Sequence, residues 1–105
     1  MEIVITSAGD KLTDKFDLRF GRAAYFCVYN TQDKTSKFVS NDIVNVQGGA
    51  GTKSAEKMIE LGVKRVISGD FGPKAKQLLN KFEIQMVMLD ESDSTIESII
   101  AKISK

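Results

Sequence analysis

Histidine is absent from this chain, and cysteine and proline occur once each. Without histidine the chain lacks the commonest general base and the commonest metal ligand. With Cys27 alone it can build no disulfide within itself, no CxxC metal site and no four-cysteine iron–sulfur site. Charge of one sign is also missing. Fifteen basic residues against fourteen acidic ones leave +1, which argues against a nucleic-acid binder working by bulk electrostatics. No apolar run approaches the roughly 20 residues that span a bilayer. Met1-Glu2 runs straight into a short apolar stretch, with neither the basic start nor the cleavage site of a signal peptide. The expectation is a cytoplasmic protein that engages neither nucleic acid nor membrane. Its 105 residues suit one domain, residues 1–105, with one core.

What is present is periodic. Ile3-Val4-Ile5 reads as a strand buried on both faces. A charged connection over residues 10–22 follows, and a loop this long in so small a chain is usually functional or mobile. Ala23 to Tyr29 reads as the second strand and Lys37 to Ile43 as the third, joined as an antiparallel hairpin by polar turn residues. The third strand is the more polar and belongs at an edge. After Gly48-Gly49-Ala50-Gly51 the pattern becomes helical from Thr52 to Leu61, with Gly62 as the stop. Val63 to Ser68 is the fourth strand. Pro73 opens a second helix, where its missing N–H does no harm, and Ala75, Leu78, Leu79 and Phe82 form that helix's buried face. Ile84 to Leu89 is the fifth strand, with Met86 and Met88 in the core. Ser94-Thr95-Ile96-Glu97 fits a capping box, and Ile96, Ile99, Ile100 and Ile103 line the last helix.

This order, β-β-β-α-β-α-β-α, predicts an α/β fold: a five-stranded mixed sheet of order 3-2-1-4-5 with helices packed on it, the ribonuclease H-like arrangement. It sends three segments to one edge of the sheet: the loop carrying Arg19 and Arg22, the Gly48–Gly51 turn and the Gly69–Pro73 turn. All three helices begin at the same edge, where unpaired N–H groups and partial positive charge gather. Arginine forks suit oxyanions, and glycine lets a ligand approach the backbone. The candidate ligand-binding residues are Arg19, Phe20, Gly21, Arg22, Gly48, Gly49, Gly51, Gly69 and Gly72. No residue is assigned to catalysis, and no metal ligand can be named.

Asp17-Leu18-Arg19-Phe20-Gly21-Arg22-Ala23-Ala24-Tyr25-Phe26, then Gly48-Gly49-Ala50-Gly51, then Gly69-Asp70-Phe71-Gly72-Pro73-Lys74-Ala75 resemble the dinitrogenase iron–molybdenum cofactor biosynthesis family over nearly the whole chain. The resemblance implies a ribonuclease H-like fold and a carrier or chaperone of an iron–molybdenum cofactor or its iron–sulfur precursors, a nitrogen-fixation accessory and not an enzyme. It implies Arg19 and Arg22 as anion contacts, Gly48, Gly49 and Gly51 as a backbone cradle, and other cluster-assembly proteins as partners. Many members carry histidine before the glycine turn; here Asn45-Val46-Gln47 stands there. A cluster would then be held electrostatically, through Cys27, or between two chains.

Other readings are weaker or differ in class. Cys27 as an iron ligand competes with its packing mid-strand as a small hydrophobe. The segment from Gly48 to Ser54 departs from a P-loop, since Thr52 replaces the glycine before Lys-Ser. A two-metal nuclease needs clustered carboxylates, and strand 1 carries none at its centre; Asp10, Asp17 and Asp70 lie in loops, where acidic residues are ordinary, and orienting Arg19 is another role open to Asp17. A binder of a small phosphate or carboxylate metabolite is the main alternative to a metallocluster carrier. An interaction module using the exposed third strand is the other.

Overall fold

Ile3, Val4 and Ile5 have no exposed surface, because β1 (Glu2–Ser7) is the middle strand of a five-stranded sheet. The computed structural model describes residues 1–42 and 49–103. β1 pairs antiparallel with β2 (Tyr25–Asn30), Ile5 opposite Cys27, and β2 pairs antiparallel with β3 (Thr35–Ser40). On its other side β1 runs parallel to β4 (Arg65–Ser68), Val4 opposite Val66, and β4 runs parallel to β5 (Gln85–Met88). The order is β3-β2-β1-β4-β5, as the alternation of apolar runs and turns predicts.

Strand alternation divides the core in two. On one face Val4, Phe26, Val28 and Val66 meet α1 (Ala50–Leu61) and α2 (Pro73–Lys81) through Ala55, Met58, Ala75 and Leu79. On the other, Ile3, Ile5, Cys27, Tyr29 and Ile67 meet Ile96 and Ile99 of α3 (Ile96–Ile103). Each helix follows the carboxyl end of a strand that runs parallel to β1, so all three start at one edge. No described helix is long and apolar enough to cross a membrane.

The ends of elements correct several expectations. Gly62, at φ 73°, closes α1 by donating to Ile59 and Met58 carbonyls, a left-handed stop that suits glycine. Helix α2 ends at Lys81, and Phe82 has already left helical geometry (φ −99°, ψ 12°). Phe82 therefore drops out of the expected i+7 position and is 49% exposed. Met88, the last residue of edge strand β5, is 59% exposed and not core, whereas Met86 packs against the α1/α2 side. The cap of α3 is Thr95 and not Ser94: its Oγ1 accepts from the Ser98 N–H at 3.3 Å, while Glu97 donates its N–H to the Leu12 carbonyl. The third strand begins at Thr35 and ends at Ser40, and its expected end, Ile43, lies outside the described residues.

Truncating a helix residue packed on the sheet should therefore differ sharply from truncating the two misassigned residues. Met58→Ala or Leu79→Ala is expected to destabilise by about 2–5 kcal/mol. Phe82→Ala and Met88→Ala should stay within about 0.5 kcal/mol of wild type. Urea midpoints decide, and the reverse order would contradict this core assignment.

Candidate functional site

The long connection after β1 is pinned at several points. Asp17 donates its N–H to the Thr6 carbonyl at 3.0 Å, and the buried Thr6 hydroxyl donates back to the Asp17 carbonyl. Phe20 is 1% exposed, its ring 6.3 Å from Phe26 and 5.0 Å from Phe71. The Phe20 side chain thus belongs to the core and anchors the loop, leaving only its backbone near the edge. Asn41, itself buried, donates from Nδ2 to the Ala23 carbonyl at 2.8 Å and from its N–H to Ala24 at 3.0 Å. That ties the end of β3 to the segment following Arg22.

Two glycines bring the edge segments into backbone contact. A Cβ on Gly21 would lie 2.9 Å from the Gly51 nitrogen and 3.1 Å from its Cα. A Cβ on Gly69 would lie 2.6 Å from both the Cα and the carbonyl oxygen of Leu18. Neither site has room for a methyl group. Arg19 and Asp70 form a parallel backbone bridge beside the second contact. The Arg19–Arg22 segment, the start of α1 and the turn before α2 are therefore one packed unit.

Between the starts of α1 and α2 lies a cleft of about 350 Å³, lined by Gly49, Gly51, Thr52, Gly72, Pro73, Lys74 and Ala75. The two helix ends sit close: a Cβ on Gly51 would be 3.7 Å from the Ala75 Cβ. Gly49 caps α1 with φ 69°, and Gly72 caps α2 in an extended conformation. Neither helix has a side-chain cap, and neither has an acidic residue in its first turn. The first-turn N–H groups, with the positive ends of two helix dipoles, thus border one cavity beside the exposed Lys74. The arrangement can hold an anion by backbone donors plus one ammonium.

The arginines do not line that cleft. Arg19 is engaged side-on by Asp17, with Nε donating to Oδ1 at 3.0 Å and Nη2 to Oδ2 at 2.9 Å. Asp17 also accepts from the Arg19 N–H at 2.9 Å. The side chain of Asp17 is 7% exposed and that of Arg19 65%. The hydrogen bond and charge of Asp17 raise the Arg19 pKa, so the guanidinium stays charged. Its Nη1 end remains directed away from the carboxylate. Arg22 is half-buried. Gly69 serves the Leu18 contact and lies outside the cleft lining, whereas Gly49, Gly51 and Gly72 line it. Gly48 and the Asn45-Val46-Gln47 segment lie outside the described residues.

Direct metal ligation finds no support in side chains. Among the described residues no three histidine, cysteine, aspartate or glutamate side chains gather to hold a metal ion. Cys27 has no exposed surface, and burial pushes its thiol up to about 12. Sequence reasoning did not single out Lys74 and Thr52, which line the cleft, or Asn41, which ties β3 to the loop. The proline in Gly72-Pro73-Lys74 was the available signal, since proline at the first helical position puts Lys74 at the second, in the first turn. Asn41 gives no such signal, because the carbonyls it bonds are 17 to 20 residues away in sequence.

Comparison with known proteins adds a family. A family model described as dinitrogenase iron–molybdenum cofactor matches residues 1–105. The fold is similar to the apo form of the orange protein from Desulfovibrio gigas, at TM-score 0.89 and 29% identity over 97% of this chain and 85% of that one. It is also similar to a provisionally assigned NifB protein from Thermotoga of the DUF35 family, at TM-score 0.81 and 26% identity over 98% of this chain and 86% of that one. No curated protein matches the chain.

Two measurements check this geometry. Gly21→Ala and Gly69→Ala should each destabilise by about 1–3 kcal/mol, since backbone must move to admit the methyl. Gly72→Ala, with open space and a negative φ, should be near neutral; equal effects at all three would contradict the contacts. The Cys27 thiol protonates at a higher pH folded than unfolded, so its contribution is complete below the ordinary thiol value near 9 and is lost as pH rises towards about 12. Cys27→Ser should flatten the fall in stability that begins near pH 9, and an unchanged slope would count against this burial effect.

Proposed function

The chain belongs to the dinitrogenase iron–molybdenum cofactor family, and we propose that it binds and carries an anionic iron–sulfur or iron–molybdenum cluster, or a precursor of one, without transforming it. The observation that carries this reading is the pairing of two uncapped helix starts around one cleft. Such a site supplies N–H donors and positive potential, which hold a charged cargo by its surface atoms. The similar orange protein from Desulfovibrio gigas has an apo form, which supports a reading in which this fold holds a ligand.

In this reading the backbone at Gly51, Thr52, Lys74 and Ala75 contacts the cargo, and the Lys74 ammonium neutralises part of its charge. Gly49 and Gly72 keep the mouth clear of side chains. Arg19, held by Asp17, and Arg22 attract the anion to the edge. Gly21 and Gly69 hold the three segments in register. The whole chain acts as one domain, and its partners are proteins that assemble or receive clusters. A small phosphate or carboxylate metabolite is the second reading, favoured by the same donors and by the size of the cleft.

Anaerobic incubation with a preformed iron–sulfur cluster, then gel filtration and iron counting per chain, tests the proposal. Iron should comigrate with wild type and fall several-fold in Lys74→Ala and in Arg19→Ala/Arg22→Ala. Wild type that elutes without iron while retaining inorganic phosphate or citrate would replace the cluster reading with the metabolite reading.

A further inference from the structure

The cleft continues as a groove down the α1/α2 surface. A depression of about 290 Å³ is lined by Thr52, Lys74, Gln77, Leu78 and Lys81, sharing Thr52 and Lys74 with the cleft. Four of these five lie at i, i+3, i+4 and i+7 of α2, which is one helix face. The face is an apolar centre, Leu78, with a lysine at each end. Leu78 is only partly buried although it packs against the core. No acidic side chain lines the groove. Helix α2 carries Lys74, Lys76 and Lys81 and no acidic residue at all, in a chain whose total charge is only +1.

We propose that this groove is a docking surface for an acidic amphipathic helix of a partner protein. The charge pattern argues for that occupant. Two ammonium groups one i, i+7 step apart, about 10 Å along a helix, match carboxylates at the same spacing on a helix laid alongside. The apolar side chains between those carboxylates cover Leu78. The lining is one face of α2 with Thr52 of α1 at its end, and an amphipathic helix laid by its apolar face into such a depression is a recurring recognition mode. A basic or membrane-inserting partner gains nothing from this surface, which has too little apolar area for insertion. Because the groove shares Thr52 and Lys74 with the cleft, a helix seated there abuts whatever the cleft holds. The surface thus places a donor or recipient against the cargo, an inference that rests on the carrier reading only for what is handed over.

The test uses the cargo-free full chain, so it stands apart from cluster loading. The probe is a synthetic amphipathic helical peptide with glutamates at i and i+7 and leucines at i+3 and i+4. Its control carries lysines in place of the glutamates. Amide shifts in a 15N–1H titration should concentrate on Thr52, Lys74, Gln77, Leu78 and Lys81, and the affinity should weaken with added salt. Gln77→Glu/Lys81→Glu, at two exposed positions, should weaken peptide binding by about tenfold or more through like-charge opposition, with an unchanged urea midpoint. That variant should still take up iron in the loading assay, because Lys74 and the cleft are intact. Absence of peptide binding, equal binding of the lysine control, or shifts centred on β3 would overturn the docking surface whatever the loading assay gives. Peptide binding by the variant as tight as that of wild type would overturn it too, whereas wild type that binds the peptide but elutes without iron would overturn the carrier site and leave the groove standing.

Discussion

Two backbone contacts that exclude a single methyl group hold the functional edge together. Gly69 rests on Leu18, and Gly21 rests on the first turn of α1. Through them the loop after β1 is fixed at once to the turn after β4 and to the helix after β3. The alternative, side chains bridging these segments, would spread them apart and widen the space between the two helix starts. The buried Phe20, wedged between Phe26 and Phe71, provides the apolar driving force for the same closure. Hydrogen bonds from Asn41 and Thr6 then set the register of the loop. Packing and polar satisfaction point to one arrangement, which is why a chain this small can keep a long connection ordered.

The chemistry of the edge follows from what the packing leaves unpaired. Helices α1 and α2 start side by side with no capping side chain and no acidic residue in the first turn. A serine, threonine or aspartate cap would satisfy one of those donors. Gly49 holds a left-handed φ of 69° that suits glycine, Gly72 is extended, and neither supplies a capping side chain. Lys74 adds a full charge within reach of the same cavity. Softer ligands are withheld: the chain has no histidine, and its one thiol is sealed in the opposite layer of the core beside Ile5 and Ile67. Among the described residues, the means offered for holding an anion at this edge are charge and hydrogen bonds, and not coordination from clustered side chains.

The fold was largely legible because its signals are periodic. Strand 1 reads as an apolar run, the two later helices by their i, i+3, i+4 faces, and the crossover rule orders the sheet. The errors cluster where periodicity ends. Phe82 continues the spacing of α2, yet the helix has stopped one residue earlier. Met88 alternates correctly with Met86, yet at the end of an edge strand it is left mostly exposed. Thr95 displaces Ser94 as cap because Glu97 spends its N–H on Leu12. At the edge, the glycine segments were visible as turns, and the sequence order alone put them side by side. Their reason was not visible: Gly21 and Gly69 are needed for close approach between segments 30 and 51 residues apart, which no local pattern encodes. The place of Lys74 on the cleft was hidden for a similar reason, since the cleft exists only once α1 and α2 are adjacent.

The central claim is that the two helix starts act as one anion site. An amide 15N–1H titration of the protein with inorganic phosphate, and separately with citrate, tests it most directly. The account predicts that Gly51, Thr52, Lys74 and Ala75 shift together along one saturable curve, and that Lys74→Ala weakens that curve without abolishing the pattern. Shifts scattered over surface lysines without saturation, or confined to one helix start, would contradict it.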